Sequence, residues 1–313
     1  MNSKKQHFII ASPRSGTTWL SKALDAHPHL YCTERRLFGN YSDLIQDEGA
    51  EQPRLRCTLD KFVSASLLPQ NMSDENILLK NYIKALIHTE KEVQGAKAAI
   101  DKITPYVGTA PHVLHQLNTF FPGSKIVHLM RDGRDVCTSG VFHWFNKVPL
   151  GHETSEFERD RKAFFTGEST TFNQDRFFTD VEIEEWAETW AGPVKISQTS
   201  DGHPLHTIRY EDMLEDIESV LAELFNFLNL NAKPAILEQC LAVSSFKKMS
   251  GREQGEAKQG AHVRKGIAGD WKNYFTRQDA ELFHSIAGRE LISAGYEADD
   301  AWVSALPEVL NAG

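Results

Sequence analysis

Phe8-Ile9-Ile10-Ala11-Ser12-Pro13-Arg14-Ser15-Gly16-Thr17-Thr18-Trp19-Leu20 runs from an apolar strand through a small, hydroxyl-rich turn into the start of a helix. A tight strand-to-helix turn aims several unpaired backbone N–H groups, and the positive end of the helix dipole, at one spot. Phosphate or sulfate fits there. Arg14 adds a permanent forked cation, Ser15, Thr17 and Thr18 add hydroxyl donors, and Gly16 lets the backbone approach a ligand closely. A turn that merely capped its helix would explain a hydroxyl at the helix start, but not Arg14 between Pro13 and Ser15. A nucleoside triphosphate loop is not written here, because Thr17 follows Gly16 where that motif needs Lys.

The rest of the composition narrows the anion. The chain has 313 residues, 41% of them apolar and 25% charged, which is globular and large enough for one sizeable α/β core. A formal charge of −9 argues against general binding to nucleic acid or anionic membrane, so a small anion held by local cations is the better fit. Cys32, Cys57, Cys137 and Cys240 are widely spaced, which indicates neither a zinc site nor a disulfide framework. The apolar run from Phe8 to Ala11 is too short for a signal-peptide core, and no run reaches membrane-spanning length. The expectation is a soluble cytoplasmic protein; a homodimer is admitted by the sequence but not required.

Along the chain, strand and helix alternate. Trp19, Leu20, Ala23 and Leu24 fall at helical spacing and stop before His27-Pro28, and a helix is expected from Asp74 to Val93. Ala96 to Ile100 reads as a short strand with Asp101-Lys102-Ile103-Thr104-Pro105 at its end, where α/β sheets place ligand groups. Pro111 opens another helix, and Lys125 to Met130 is a buried strand that delivers Arg131. Residues 146–180 show no sustained period and read as an irregular binding loop or lid. Residues 181–197 look helical, Leu205 to Tyr210 is a strand, and Ile217, Leu221, Leu224, Phe225 and Leu228 mark one helix face. The pattern implies an α/β fold: a central, mainly parallel sheet flanked by helices, in a single domain over residues 1–313.

Three further segments carry chemistry. In Arg131-Asp132-Gly133-Arg134-Asp135-Val136-Cys137-Thr138-Ser139, a strand-end Arg and a hydroxyl two helical turns on can grip one phosphate, although a surface Arg beside a capping Asp would look the same. Val263-Arg264-Lys265-Gly266-Ile267-Ala268-Gly269-Asp270-Trp271 sets two cations before two glycines in a loop. Tyr210, with Ser244-Ser245-Phe246, supplies polar and aromatic surface near strand and helix ends.

Together these segments resemble the sulfotransferase family that uses 3′-phosphoadenosine 5′-phosphosulfate (PAPS) and leaves 3′-phosphoadenosine 5′-phosphate (PAP). The motifs come closest to its cytosolic branch and imply a P-loop-like nucleotide-binding architecture. By that resemblance Pro13 to Trp19 is the 5′-phosphosulfate loop, with Arg14, Ser15, Gly16, Thr17 and Thr18 around the anion. Arg131 and Ser139 form the 3′-phosphate pair, Trp19, Tyr210, Ser244 and Phe246 surround the adenine, and Arg264, Lys265 and Gly266 close over the 3′-phosphate. Acceptor specificity varies in this family, and the segments at about 34–95 and 146–180 show no motif match. The implied reaction is in-line sulfuryl transfer to a hydroxyl or amine of a small organic acceptor, without a metal. In it Arg14, the loop N–H groups and Lys102 neutralise charge on the leaving oxygen.

The sequence departs from the cytosolic branch at the base. That branch has a catalytic His in a Lys-Thr-His motif, and the corresponding segment here is Lys102-Ile103-Thr104. Threonine cannot accept the proton. Other branches use a Glu just after the first helix, and Glu34 in Cys32-Thr33-Glu34 stands near that place, with Asp101, His112 and His115 in reserve. A Glu flanked by Arg35 and Arg36 is also what a paired surface charge looks like. His27 reads as structural. Phe142, Trp144, Phe145, Phe164 and Phe165 fit either an acceptor pocket or the core. Two other readings stay open, a small-molecule or nucleotide kinase of related fold and a PAP(S)-binding protein that has lost catalysis.

Overall fold

The structure is a computed structural model, and it describes residues 6–33, 75–105, 110–145, 155–169, 172, 174–199, 202–244, 248 and 266–310. The opening stretch forms strand β1 (Gln6–Ala11) and helix α1 (Thr17–Asp25), followed by β2 (Leu30–Thr33). Next come α2 (Glu75–Val93), β3 (Ala98–Ile103), α3 (Ala110–Phe120), β4 (Lys125–Met130) and α4 (Gly133–Phe145). Helices α5 (Glu156–Thr166) and α6 (Asp180–Gln198) precede β5 (Leu205–Arg209), and the remainder is α7 (Tyr210–Phe227), α8 (Pro234–Ser244), a 3-10 turn (Asp270–Asn273), α9 (Arg277–Ser293) and α10 (Ala301–Ser304).

The five strands pair in parallel in the order β2-β3-β1-β4-β5. From β1 the chain leaves toward β2 on one side, and from β4 it leaves toward β5 on the other, so the direction of winding reverses between β1 and β4. In open parallel sheets the crevice at the carboxyl ends of such a strand pair is where ligands bind. The Ser12–Gly16 loop and Arg131 lie at those two ends.

The sheet is apolar on both faces, as crossover helices on both sides require. Phe8, Ile10, Ala99, Ile103 and Ile126 pack against α2 and α3, whereas Ile9, Ala11, Ile100, Val127 and Leu129 pack against α1, α7 and α8. A third cluster, rich in Phe and Trp, joins α4, α6 and α9 to the 3-10 turn. No helix among the described residues is long and apolar enough to cross a membrane.

Two elements differ from the sequence expectations. Strand β3 starts later and runs through Ile103, so Asp101 and Lys102 are buried ladder residues opposite Phe8 and Ile9 rather than a segment beyond the strand end. Their charge hides a strand whose two neighbours supply its partners. The supposedly irregular 146–180 segment contains α5, capped by the Ser155 hydroxyl on the Glu158 N–H and ended by Gly167 in the left-handed conformation. A Ser-x-x-Glu signature at 155–158 and a glycine past the last turn were available signals.

Candidate functional site

The site is built where the β1 and β4 ends meet. Gly16 at φ +92° precedes α1, and no side-chain hydrogen bond caps that helix. Arg14 is also left-handed, at φ 71°, an uncommon conformation for a residue with a side chain. The loop is tied down from inside: the Ser15 N–H donates to the Ser12 carbonyl at 3.3 Å, and the Ser12 hydroxyl reaches the Trp190 carbonyl at 3.4 Å. Beneath it lies Tyr210, the first residue of α7, so close that a Cβ on Gly16 would sit 2.6 Å from the ring. Trp19 meets the same ring edge-on at 5.8 Å.

From the β4 side, Arg131 is buried and its guanidinium lies 4.4 Å from the centre of the Tyr210 ring. It donates to the Arg14 carbonyl at 3.1 Å and to the Ile267 carbonyl at 3.0 Å, bridging the first loop and the segment after Gly266. The backbone carbonyl of Arg131 is itself held by the Trp190 indole N–H at 2.8 Å. Arg14 Nε contacts Ser139 Oγ at 3.3 Å. The surface-Arg alternative therefore fails for Arg131.

Three buried polar atoms around this junction have no hydrogen-bond partner among the described residues: Ser15 Oγ, Trp19 Nε1 and Arg131 Nε. Unpaired buried polar groups are costly, and all three can donate. Two guanidiniums and these donors are grouped around the Ser12–Gly16 loop and the Tyr210 ring, a donor set that suits a multiply charged anion attached to a flat ring. Lys102 lies on the same sheet face as Ile9 and Ile100, the face that α1 covers.

The other expected residues are distributed as follows. Ser244 ends α8, which packs on α1, and its hydroxyl donates to the Cys240 carbonyl at 2.8 Å. Gly266 is described, at φ 66°. Glu34, Phe246, Arg264 and Lys265 lie outside the described residues, as do the side chains of His112, Trp144 and Phe145. Asp101 is on the face opposite Lys102 and accepts from Thr33 Oγ1 at 2.5 Å, while His115 is exposed on α3. Phe142 and Phe165 belong to the core, with Phe164 packed against it. His27 is structural: Nε2 lies 3.1 Å from the Asn231 carbonyl, Nδ1 accepts the His29 N–H, and the ring packs on Phe225, with burial pushing its pKa down.

Several residues outside the expected set hold the site together. Asp132 takes three bonds from Arg134, one from its backbone N–H and two from its guanidinium, which lies 3.8 Å from the Trp271 ring and 4.6 Å from the Trp302 ring and also pairs with Glu297. Glu211 accepts the Asp132 N–H at 3.1 Å and the Tyr296 hydroxyl at 3.0 Å. Asp135 receives the Gly269 N–H at 2.7 Å and the Trp271 N–H at 3.0 Å. Apart from the Asp132–Arg134 pair, which are two residues apart, these contacts join segments far apart in the chain, and no local pattern marks them.

A family model described as the sulfotransferase domain matches residues 4–295. Among curated proteins, Sulfotransferase 2A2 of Mus musculus is 28% identical over 203 residues, which are 61% of this chain and 66% of the relative. The 3-beta-hydroxysteroid sulfotransferase of Cavia porcellus is 25% identical over 200 residues, 61% of this chain and 63% of the relative. The chain thus spans slightly under two thirds of the length of these relatives. Among solved structures, mouse sulfotransferase SULT7A1 complexed with PAP superposes with a TM-score of 0.52 at 16% identity, covering 96% of this chain and 88% of that one, which is a likeness of fold.

Proposed function

Because the chain belongs to the sulfotransferase family, we propose that it moves the sulfuryl group of PAPS onto a hydroxyl or amine of a small organic acceptor. The observation that carries this reading is the junction of the two loops, where Arg131 bonds the Arg14 carbonyl and Arg14 Nε meets Ser139 Oγ beside three buried donors without partners among the described residues.

PAPS supplies an activated sulfuryl group on a phosphate leaving group. The chain's own part is binding, alignment and charge stabilisation. Arg131 and Ser139 hold the 3′-phosphate, and Tyr210 and Trp19 give the flat surface for the base. Arg14, the N–H groups at the start of α1 and Lys102 hold the 5′ end. As the acceptor oxygen or nitrogen bonds to sulfur, the sulfur–oxygen bond to the 5′-phosphate breaks, and Arg14 and Lys102 stabilise the negative charge left on that oxygen. Arg14 does so as a fixed cation, since a guanidinium does not give up its proton. Glu34 takes the acceptor's proton in this reading.

The test has two parts. Thermal-shift measurements should show stabilisation by PAP without metal and none by Mg-ATP, the reverse pattern pointing to a kinase. A screen with labelled PAPS against alcohols, phenols, amines and sugars, with hydroxysteroids added because of the Cavia porcellus relative, should then find a labelled product. PAP binding without transfer to any acceptor class would make the chain a binding protein.

A further inference from the structure

Asp135 sits in the first turn of α4, 1% exposed, four residues after Arg131. Its two oxygens each accept one backbone N–H from the same short segment, Oδ2 from Gly269 and Oδ1 from Trp271. Oδ2 also lies 3.9 Å from Arg131 Nη2, and that nitrogen donates to the Ile267 carbonyl in the same segment. Carboxylate and guanidinium therefore hold the backbone of Ile267–Trp271 together, one by its N–H groups and the other by its carbonyl. The segment continues directly from Arg264-Lys265-Gly266 in sequence.

We propose that Asp135 is a positioning residue for donor capture: ionised, it latches the Gly266–Trp271 strap onto α4 and sets Arg131 between the strap and the Arg14 loop. This rests on the sulfotransferase reading of the crevice. The latch explains why an acid is buried next to a site that collects anions. A carboxylate so close to a bound phosphate repels it, and at this position it is retained because it holds two N–H groups and orients one guanidinium, neither of which a neutral side chain can do in full. Charge matters to the latch, because bonds to an ionised acceptor are roughly twice as strong as neutral ones.

Burial raises the Asp135 carboxyl to about 6, against the pull of Arg131 and the two N–H groups. The charged and titratable groups facing it are Arg131 and Asp132 from the turn before α4 and Tyr210 from α7, while the strap contributes the N–H groups of Gly269 and Trp271. Below about pH 6 the wild-type latch loses its charge and comes to resemble an Asn at this position.

The test is calorimetric titration of the full chain with PAP, wild type against Asp135→Asn, at pH 7.5 and pH 5.5, with melting temperatures recorded alongside. At pH 7.5 the variant should bind PAP at least about tenfold more weakly, the scale of one lost charge-assisted bond. At pH 5.5 the ratio of the two dissociation constants should shrink toward one. Titration of the 3′-phosphate itself is common to both proteins and cancels in the ratio. Equal affinity at pH 7.5, or a ratio unchanged by pH, overturns the latch and leaves Asp135 a structural residue. A wild-type chain that does not bind PAP overturns the donor reading instead. If Asp135→Asn does not fold, Asp135→Glu is titrated in its place: its longer carboxylate overshoots the two N–H groups, so a loss of PAP affinity is again expected, and wild-type affinity overturns the proposal.

Discussion

The guanidinium of Arg131 donates to the backbone carbonyl of Arg14 at 3.1 Å, joining the loop after β1 to the end of β4 across the sheet's switch point. One side chain therefore holds the backbone of the Ser12–Gly16 loop and sets its own charge beside it. Replacing Arg131 by Ala should weaken PAP binding by about 1.5–3 kcal/mol, the range for a charge-assisted bond. Calorimetry that found equal affinity would remove Arg131 from the donor site.

Arg14 holds a left-handed backbone, φ 71°, in addition to its contact with Ser139. That conformation costs a residue with a Cβ roughly 1–2 kcal/mol relative to glycine. We expect Arg14→Ala and Arg14→Gly both to abolish turnover, with the Gly variant about 1 kcal/mol the more stable after allowing for its freer unfolded chain. Denaturant unfolding of the pair checks this, and equal stabilities would mean that the loop relaxes once the arginine is gone.

Gly16 combines φ +92° with the Tyr210 ring in the space a Cβ would take. Gly16→Ala should cost about 1–3 kcal/mol of stability and shift Tyr210 from under Arg131, with PAP affinity falling as well. A variant with unchanged urea midpoint and unchanged PAP affinity would contradict the close approach.

Acid should destabilise the fold well before the ordinary carboxylates titrate. Burial lowers His7 and His128, inside β1 and β4, from 6.5 to about 4. Between those values the unfolded chain binds more protons than the folded one, so stability is full above pH 6.5 and is lost as pH falls toward 4. Asp135, raised from 3.8 to about 6, works with the opposite sign and offsets part of the loss. Between pH 7 and pH 5 we expect a net loss on the order of 2 kcal/mol from these three groups. Urea titrations at the two pH values measure it, and His128→Phe should reduce the pH dependence if the buried imidazole is its source.

Glu34→Gln should lower kcat strongly while leaving PAP affinity near wild type, because a proton acceptor acts on the acceptor side of the reaction. Unchanged kcat would return the role to the reserve candidates, of which Asp101 is bonded to Thr33 on the sheet face away from Lys102.

Local patterns that sit next to one another in the chain were legible in advance. The apolar run into Ser12–Gly16 announced β1, its loop and α1, and Lys125–Met130 announced a buried strand ending at Arg131. β3 was harder to read because Asp101 and Lys102 break its apolar run, and their place in the ladder comes from β1 and β2 on either side. Helix α5 carried its cap signals but lay in a segment whose apolar period is weak.

By itself, then, the sequence determined the fold class and the strand–loop–helix at Ser12–Gly16, and it nominated a set of site residues, because strand and helix periods, capping and turn residues act over a few neighbours. Only the tertiary structure decided which of those residues meet. The strand order puts β1 beside β4, so that Arg14 reaches Ser139 and Arg131 reaches the Arg14 carbonyl, at sequence separations of 125 and 117 residues. The same packing sets Asp135 against Gly269 and Trp271. Such contacts depend on how whole elements stack to bury both faces of the sheet, and no short stretch of chain encodes that.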